Sequence, residues 1–307
     1  MHLAEGMLPL DQAIGWSVAG AIAVTWSIRG EIQARQSTTL PSFVIAGITS
    51  LLFAVTLLPL PVPVVGATSH ICLTPVLSLI IGIRRIIWPT FFVLLLQAIF
   101  FAHGGLTTLG LNTITLGLLG PICAIGLWKL FQKVGMCNAV GFALVCAAGD
   151  LSIYVADALI LAVALADLTE PLITFTSVVI GFAPVQVPLA ALEAAASVGM
   201  TRTLATRRPD LIPESLRNLK KTPSSLATVS IFILLANLTG CEYEGIDGTV
   251  FAATAESAGR LPTDSMIDLS RGELGLAMSI IILFGLGFIA GRAWERVFNE
   301  GNDALPR

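Results

Sequence analysis

The sequence predicts an all-α, polytopic helical membrane protein with about nine transmembrane helices and its N-terminus outside. Three observations carry that expectation. Of 307 residues, 55% are hydrophobic and only 12% charged, with a mean hydropathy of +0.86; a soluble domain carries about 25% charged residues. The chain divides into apolar stretches that approach the roughly 20 residues needed to cross the hydrocarbon layer. Its basic residues fall in alternate connecting loops. So few charges cannot cover a water-facing surface, which excludes a soluble enzyme, a nucleic-acid-binding module and a disordered tail. The net charge of -3 gives no polybasic footprint. Cys72, Cys123, Cys137, Cys146 and Cys241 form no C-x-x-C pair, so neither a disulfide framework nor a zinc knuckle is expected.

In order, the expected spans are 10–28, 41–59, 64–82, 86–102, 106–128, 138–166, 171–200, 225–240 and 272–291. The third is the weakest helix. Pro63, Gly66, Ser69, His70, Thr74 and Pro75 interrupt it, and its first half reads as irregular backbone. Such backbone survives at membrane depth only when buried in protein or lining a cavity. Pro184 and Pro188 kink the seventh span. With the N-terminus outside, the inner segments hold Arg29 and Arg35, Arg84 and Arg85, Lys129 and Lys133. They also hold the run from Arg202 to Lys221, then Arg292, Arg296 and Arg307. Only Arg260 and Arg271 fall outside. The start, Met1 to Pro9, has no Lys or Arg and carries Glu5, so it does not read as a signal peptide. Met1 is expected to stay, because His2 is not small.

Three blocks follow. Residues 1–206 form a seven-span domain, 207–224 a basic, proline-punctuated inner linker, and 225–307 a two-span hairpin. The hairpin's outer loop, 241–271, carries Glu242, Glu244, Asp247, Glu256, Asp264 and Asp268 against Arg260 and Arg271. An acidic loop can concentrate cations, although an ordinary solvated loop is the commoner reading.

His2, His70 and His103 all fall at or near the outer side. Imidazole is the commonest metal ligand among side chains. His2 adds a special chelate: the Met1 amine, the His2 peptide nitrogen and the His2 imidazole can close two fused rings on one ion. Planar nitrogen coordination suits Ni(II) or Cu(II). His70 is the candidate for the fourth nitrogen. The residues before the first span reach about 30 Å when extended, enough to fold back. Cys72 could add a soft sulfur, although small cysteines in apolar spans more often simply pack. Asp150, Asp157 and Glu193 lie within spans, where carboxylates are costly and face the bundle interior. They could relay protons, or tie helices together through Tyr154, Ser152 and Gln186. No Ser-His-Asp, HExxH or Walker-type motif occurs, so the chain reads as neither an enzyme nor an ATP-binding subunit.

The start MHLAEGMLP, the run LLLQAIFFAHGGLTTLGLNT at 94–113 followed by Gly120-Pro121, and FAPVQVPLAALEA at 182–194 resemble CbiM/NikM proteins. These are the membrane substrate-capture subunits of energy-coupling-factor (ECF) cobalt and nickel transporters. The resemblance implies a helical bundle in the plasma membrane that captures Co(II) or Ni(II) as transported substrate, feeding cobalamin biosynthesis in the cobalt branch. It implies that the Met1 amine, the amide and imidazole of His2, and His70 hold the metal, supported by Ser69, His103 and Asn112. It further implies a transmembrane coupling subunit and two ATPase subunits as partners. YEGIDGTVFAATAE and the GEL of 272–274 resemble the two-span partner subunit CbiN, so the chain looks like a natural fusion. A rival is a proton-coupled secondary metal transporter or channel using Asp150, Asp157 and Glu193. Another is a membrane metalloenzyme built on His70 and Cys72, for which no acid–base constellation is visible.

Overall fold

The computed structural model describes residues 3–37, 42–58, 60–62, 67–221, 244–245, 247–263 and 272–298. Met1, His2 and the expected span at 225–240 lie outside the described residues. The helices are α1 (Leu10–Ser37), α2 (Ser42–Leu57), α3 (Thr74–Ile81), α4 (Ile83–Phe101), α5 (Leu109–Lys133), α6 (Ala139–Ala164), α7 (Pro171–Arg207) and α8 (Gly272–Phe298). Helices α4 to α7 are long and apolar enough to cross a membrane, and shorter apolar stretches occupy Phe43–Leu57 and Ala277–Ala293. The chain is a multi-pass membrane protein. Its outer surface agrees: Leu10, Ile14, Val18 and Ile22 are exposed along α1, as are Ile281 and Phe284 on α8.

The third apolar stretch is not one helix. Strand β2 (Ala67–Ser69) leads into irregular backbone at 70–73, then into the eight-residue α3. At 1.5 Å per residue, α3 extends only about 12 Å, so this segment re-enters the bundle and does not cross as a single helix. Its backbone is tolerated because it is protein-covered: residues 69–81 are all buried. β2 pairs antiparallel with β1 (Leu60–Val62), Leu60 opposite Ser69, and parallel with β3 (Glu244–Gly245), Ala67 opposite Glu244. This small sheet joins the 60–69 segment to residues 244–245, far along the chain.

Small residues let helices approach, as is usual between membrane helices. A Cβ on Gly20 of α1 would lie 2.7 Å from the Gly110 Cα of α5, and one on Gly110 would lie 2.3 Å from the Trp16 carbonyl oxygen. The C-terminal half of α1 and the N-terminal end of α4 are fastened by polar contacts. The Arg85 guanidinium donates to both oxygens of Glu31 at 2.6 and 3.2 Å. Ser27 Oγ donates to the Arg84 carbonyl and accepts from the Trp88 N–H. A π-turn at Thr115–Leu119 interrupts α5, the kind of local defect often found near functional sites. Pro184 and Pro188 lie inside the continuous helix α7.

Candidate metal centre

The run HGGLTTLGLN, residues 103–112, forms a clamp. Gly105 sits so close to the N-terminal segment that a Cβ there would be 2.6 Å from the Glu5 nitrogen. Only glycine fits that approach. The Glu5 carboxylate accepts from the N–H groups of Leu106 (2.6 Å) and Thr107 (3.1 Å). Asn112 takes both backbone groups of Leu3: its Oδ1 accepts from the Leu3 N–H at 3.0 Å, and its Nδ2 donates to the Leu3 carbonyl at 3.2 Å. Thr108 Oγ1 donates to that same carbonyl. Leu3, Met7 and Leu8 are buried beneath these contacts. From the other side, the Thr263 N–H donates to the Glu5 carbonyl at 3.0 Å.

Beside the clamp, His70, His103 and Asp247 each offer a ligand atom within 4.8 Å of the others. The two imidazoles meet edge-on, ring centroids 5.6 Å apart at 70°. His70 is 4% exposed, and the Nε2 atoms of both rings are shut off from solvent. Burial pushes the His103 imidazole down to about 4 from its ordinary 6.5, against the pull of the Asp247 carboxylate. At neutral pH that ring is uncharged.

Ser69 reaches Tyr154 Oη (2.8 Å) and Gln186 Oε1 (3.0 Å), and Gln186 Nε2 donates to Asp150 Oδ2 at 2.7 Å. Glu193 accepts from the N–H groups of Cys72 (2.8 Å) and Leu73 (2.9 Å). It thereby pins the irregular backbone that leads into α3, where Leu73 adopts a left-handed φ of 53°. Asp150 and Glu193 therefore do tie helices and loop together. Ser152 does not: its hydroxyl donates to Gly149 of its own helix. Asp157 is fully buried, and neither of its oxygens has a hydrogen-bond partner among the described residues.

The structure thus brings His70 and His103 together, while Ser69 turns its hydroxyl to Tyr154 and Gln186 and Asn112 holds the segment that leads to the first two residues. Met1 and His2 themselves lie outside the described residues. Sequence reasoning missed Glu5 and Thr108 as anchors and Asp247 as a neighbour of the histidines. Glu5 was legible as the lone charge in the opening segment. Asp247 was one acid among several in its loop, with nothing in the sequence to select it.

A family description, cobalt uptake substrate-specific transmembrane region (CbiM), matches residues 2–211. The chain belongs to the CbiM family. The cobalt transport protein CbiM of Geobacter sulfurreducens is 29% identical over 98% of this chain and 90% of its own length, so that likeness runs on past residue 211. The CbiM of Sorangium cellulosum is 34% identical over 69% of this chain and 94% of its own. A crystal structure of a transition metal transporter superposes with a TM-score of 0.54 at 17% identity, covering 72% of this chain and 98% of that one. At that identity the superposition speaks for the fold alone.

Proposed function

We propose that this chain is the substrate-capture component of an ECF-type transporter that brings Co(II), with Ni(II) as the alternative ion, in from outside. Its work is binding and not catalysis. The ligands are the Met1 amine, the amide and imidazole nitrogens of His2, and His70. The observation that carries this reading is the clasp on Leu3. Two residues of chain span at most about 7 Å, so whatever path they take, the first amine stays within that reach of the clamp. The CbiM family and the cobalt transport relatives support the choice of ion.

Power comes from partners: a coupling subunit and two ATPases, whose movement tips the loaded bundle so that the ion leaves inward. The basic segment 202–221 and the proline-bearing α7 are the proposed docking surfaces. The C-terminal hairpin takes the part of a CbiN-like subunit, and the imported ion feeds cobalamin synthesis. Selectivity rests on a rigid, near-planar cage and on ion availability, because raw affinity would favour Cu(II).

The test is metal content of the purified full chain. His2→Ala and His70→Ala lose the bound ion, and so does a chain whose amine is blocked or extended, with mass spectrometry verifying the terminus. Normal loading of a blocked terminus overturns the ligand set. Loading also weakens between about pH 7.5 and about pH 5, because the amine, with a pKa near 8, and the ligand imidazole take protons and must release them to bind metal. Under the proton-coupled reading, by contrast, His2→Ala keeps transport and neutralising Asp150, Asp157 and Glu193 stops it.

A further inference from the structure

A second group of ligating atoms is buried more deeply than the histidine group. Cys72, Asp150 and Glu193 each present one such atom within 4.8 Å of the other two. All three residues are fully buried, with no exposure to solvent. They come from three elements: the irregular 70–73 segment, the middle of α6, and α7. Asp150 is close to the centre of the 26-residue α6, which puts the cluster near the middle of the span. Ionisable groups at that depth are costly and need a counter-charge or a role. Among the described residues, neither carboxylate has an ion-pair partner.

The hydrogen bonding leaves the cluster open on one side. Gln186 satisfies Asp150 Oδ2, while Asp150 Oδ1 is buried and, among the described residues, has only the cluster's own Cys72 and Glu193 side chains beside it. Each Glu193 oxygen accepts one backbone N–H and, as a carboxylate oxygen, keeps a lone pair. A tetrahedral ion with bonds of about 2.0–2.3 Å spaces its ligands by about 3.3–3.8 Å, a spread that the cluster reaches with small side-chain adjustments.

We propose that Cys72, Asp150 and Glu193 form a second metal site, more deeply buried than the histidine group, for a divalent ion that accepts mixed sulfur and oxygen ligands in tetrahedral geometry. Co(II) and Zn(II) fit that description; a planar Ni(II) centre does not. The metal–sulfur bond forms as the Cys72 thiol passes its proton to a water molecule that the incoming ion sheds. His70 and Cys72 share one short segment, so an ion released by the histidines meets the thiol next. That role as a second station rests on the capture reading above; the existence of the site does not.

The test titrates the purified full-length protein with Co(II) alone. Wild type develops sulfur-to-cobalt charge-transfer absorption, His70→Ala keeps it, Cys72→Ser loses it, and Asp150→Asn weakens binding there by at least about tenfold. X-ray absorption on wild type with excess Co(II) adds a sulfur shell at about 2.3 Å, a reading that depends on no variant. Absorption that persists in Cys72→Ser, or a wild-type spectrum with only nitrogen and oxygen neighbours, overturns the site. Failure of the capture reading leaves a different signature: normal loading of a blocked terminus, with the sulfur signal intact.

Discussion

The two ligand clusters are built differently. The outer one takes His70, His103 and Asp247 from three connecting segments far apart in the chain, and its neighbourhood is held by backbone contacts to Leu3 and Glu5. The inner one hangs mainly from two long helices, with a single residue from the re-entrant segment. The outer donors are mostly nitrogen, the inner ones sulfur and oxygen. The difference teaches where rigidity comes from. Helix-borne carboxylates are positioned by packing, whereas a site made of loop residues needs dedicated anchors, and this chain supplies them through one glycine-rich motif.

The harshest way to break the comparison is Gly110→Val. Its Cβ would fall 2.3 Å from the Trp16 carbonyl oxygen, so α1 and α5 must part. We expect a loss of about 3 kcal/mol or more, seen as a large drop in thermal unfolding temperature, with the outer clamp lost first. Glu193→Gln comes next. A carboxamide offers one acceptor where Cys72 and Leu73 present two donors, and the unmet N–H costs about 1–3 kcal/mol. Because the 70–73 segment carries residues of both clusters, this variant weakens metal binding at both, as read by titration calorimetry.

Asn112→Ala sharpens the contrast. It frees both backbone groups of Leu3 and should lower capture affinity by about 10- to 100-fold. The sulfur signal of the inner cluster should persist; if that signal falls equally, the two clusters are not separable. Ser152→Ala is the smallest change. Among the described residues its hydroxyl bonds only within its own helix, so stability should move by no more than about 0.5 kcal/mol. A larger shift in the unfolding temperature would point to a role across helices.

Much of this was legible early. Hydropathy located the long helices because a bilayer demands uninterrupted apolar length. The proline, glycine and polar residues between 63 and 75 marked the third stretch as broken, and the structure shows a strand, irregular backbone and an eight-residue helix there. The histidines were conspicuous by scarcity. The roles of Glu193 and Gln186 were only half legible. Spacing puts a carboxylate on an inward face, but the partner it meets belongs to another element. Asp247 was not legible as a site residue, since its place depends on β3 pairing with β2 and on Phe251 stacking over Phe182 at 6.2 Å.

By itself, then, the sequence determined the class of molecule, the long helices, and the residue types able to grip a transition metal. Those are consequences of local composition, because solvent preference and donor chemistry belong to each side chain wherever it sits. Only the tertiary structure decided which donors meet. It set His103 and Asp247 beside His70, laid the opening segment against the HGGLTTLG clamp, and drew Cys72 to Asp150 and Glu193. Such meetings depend on how helices and re-entrant segments pack across the whole chain, and no stretch of neighbouring residues encodes them.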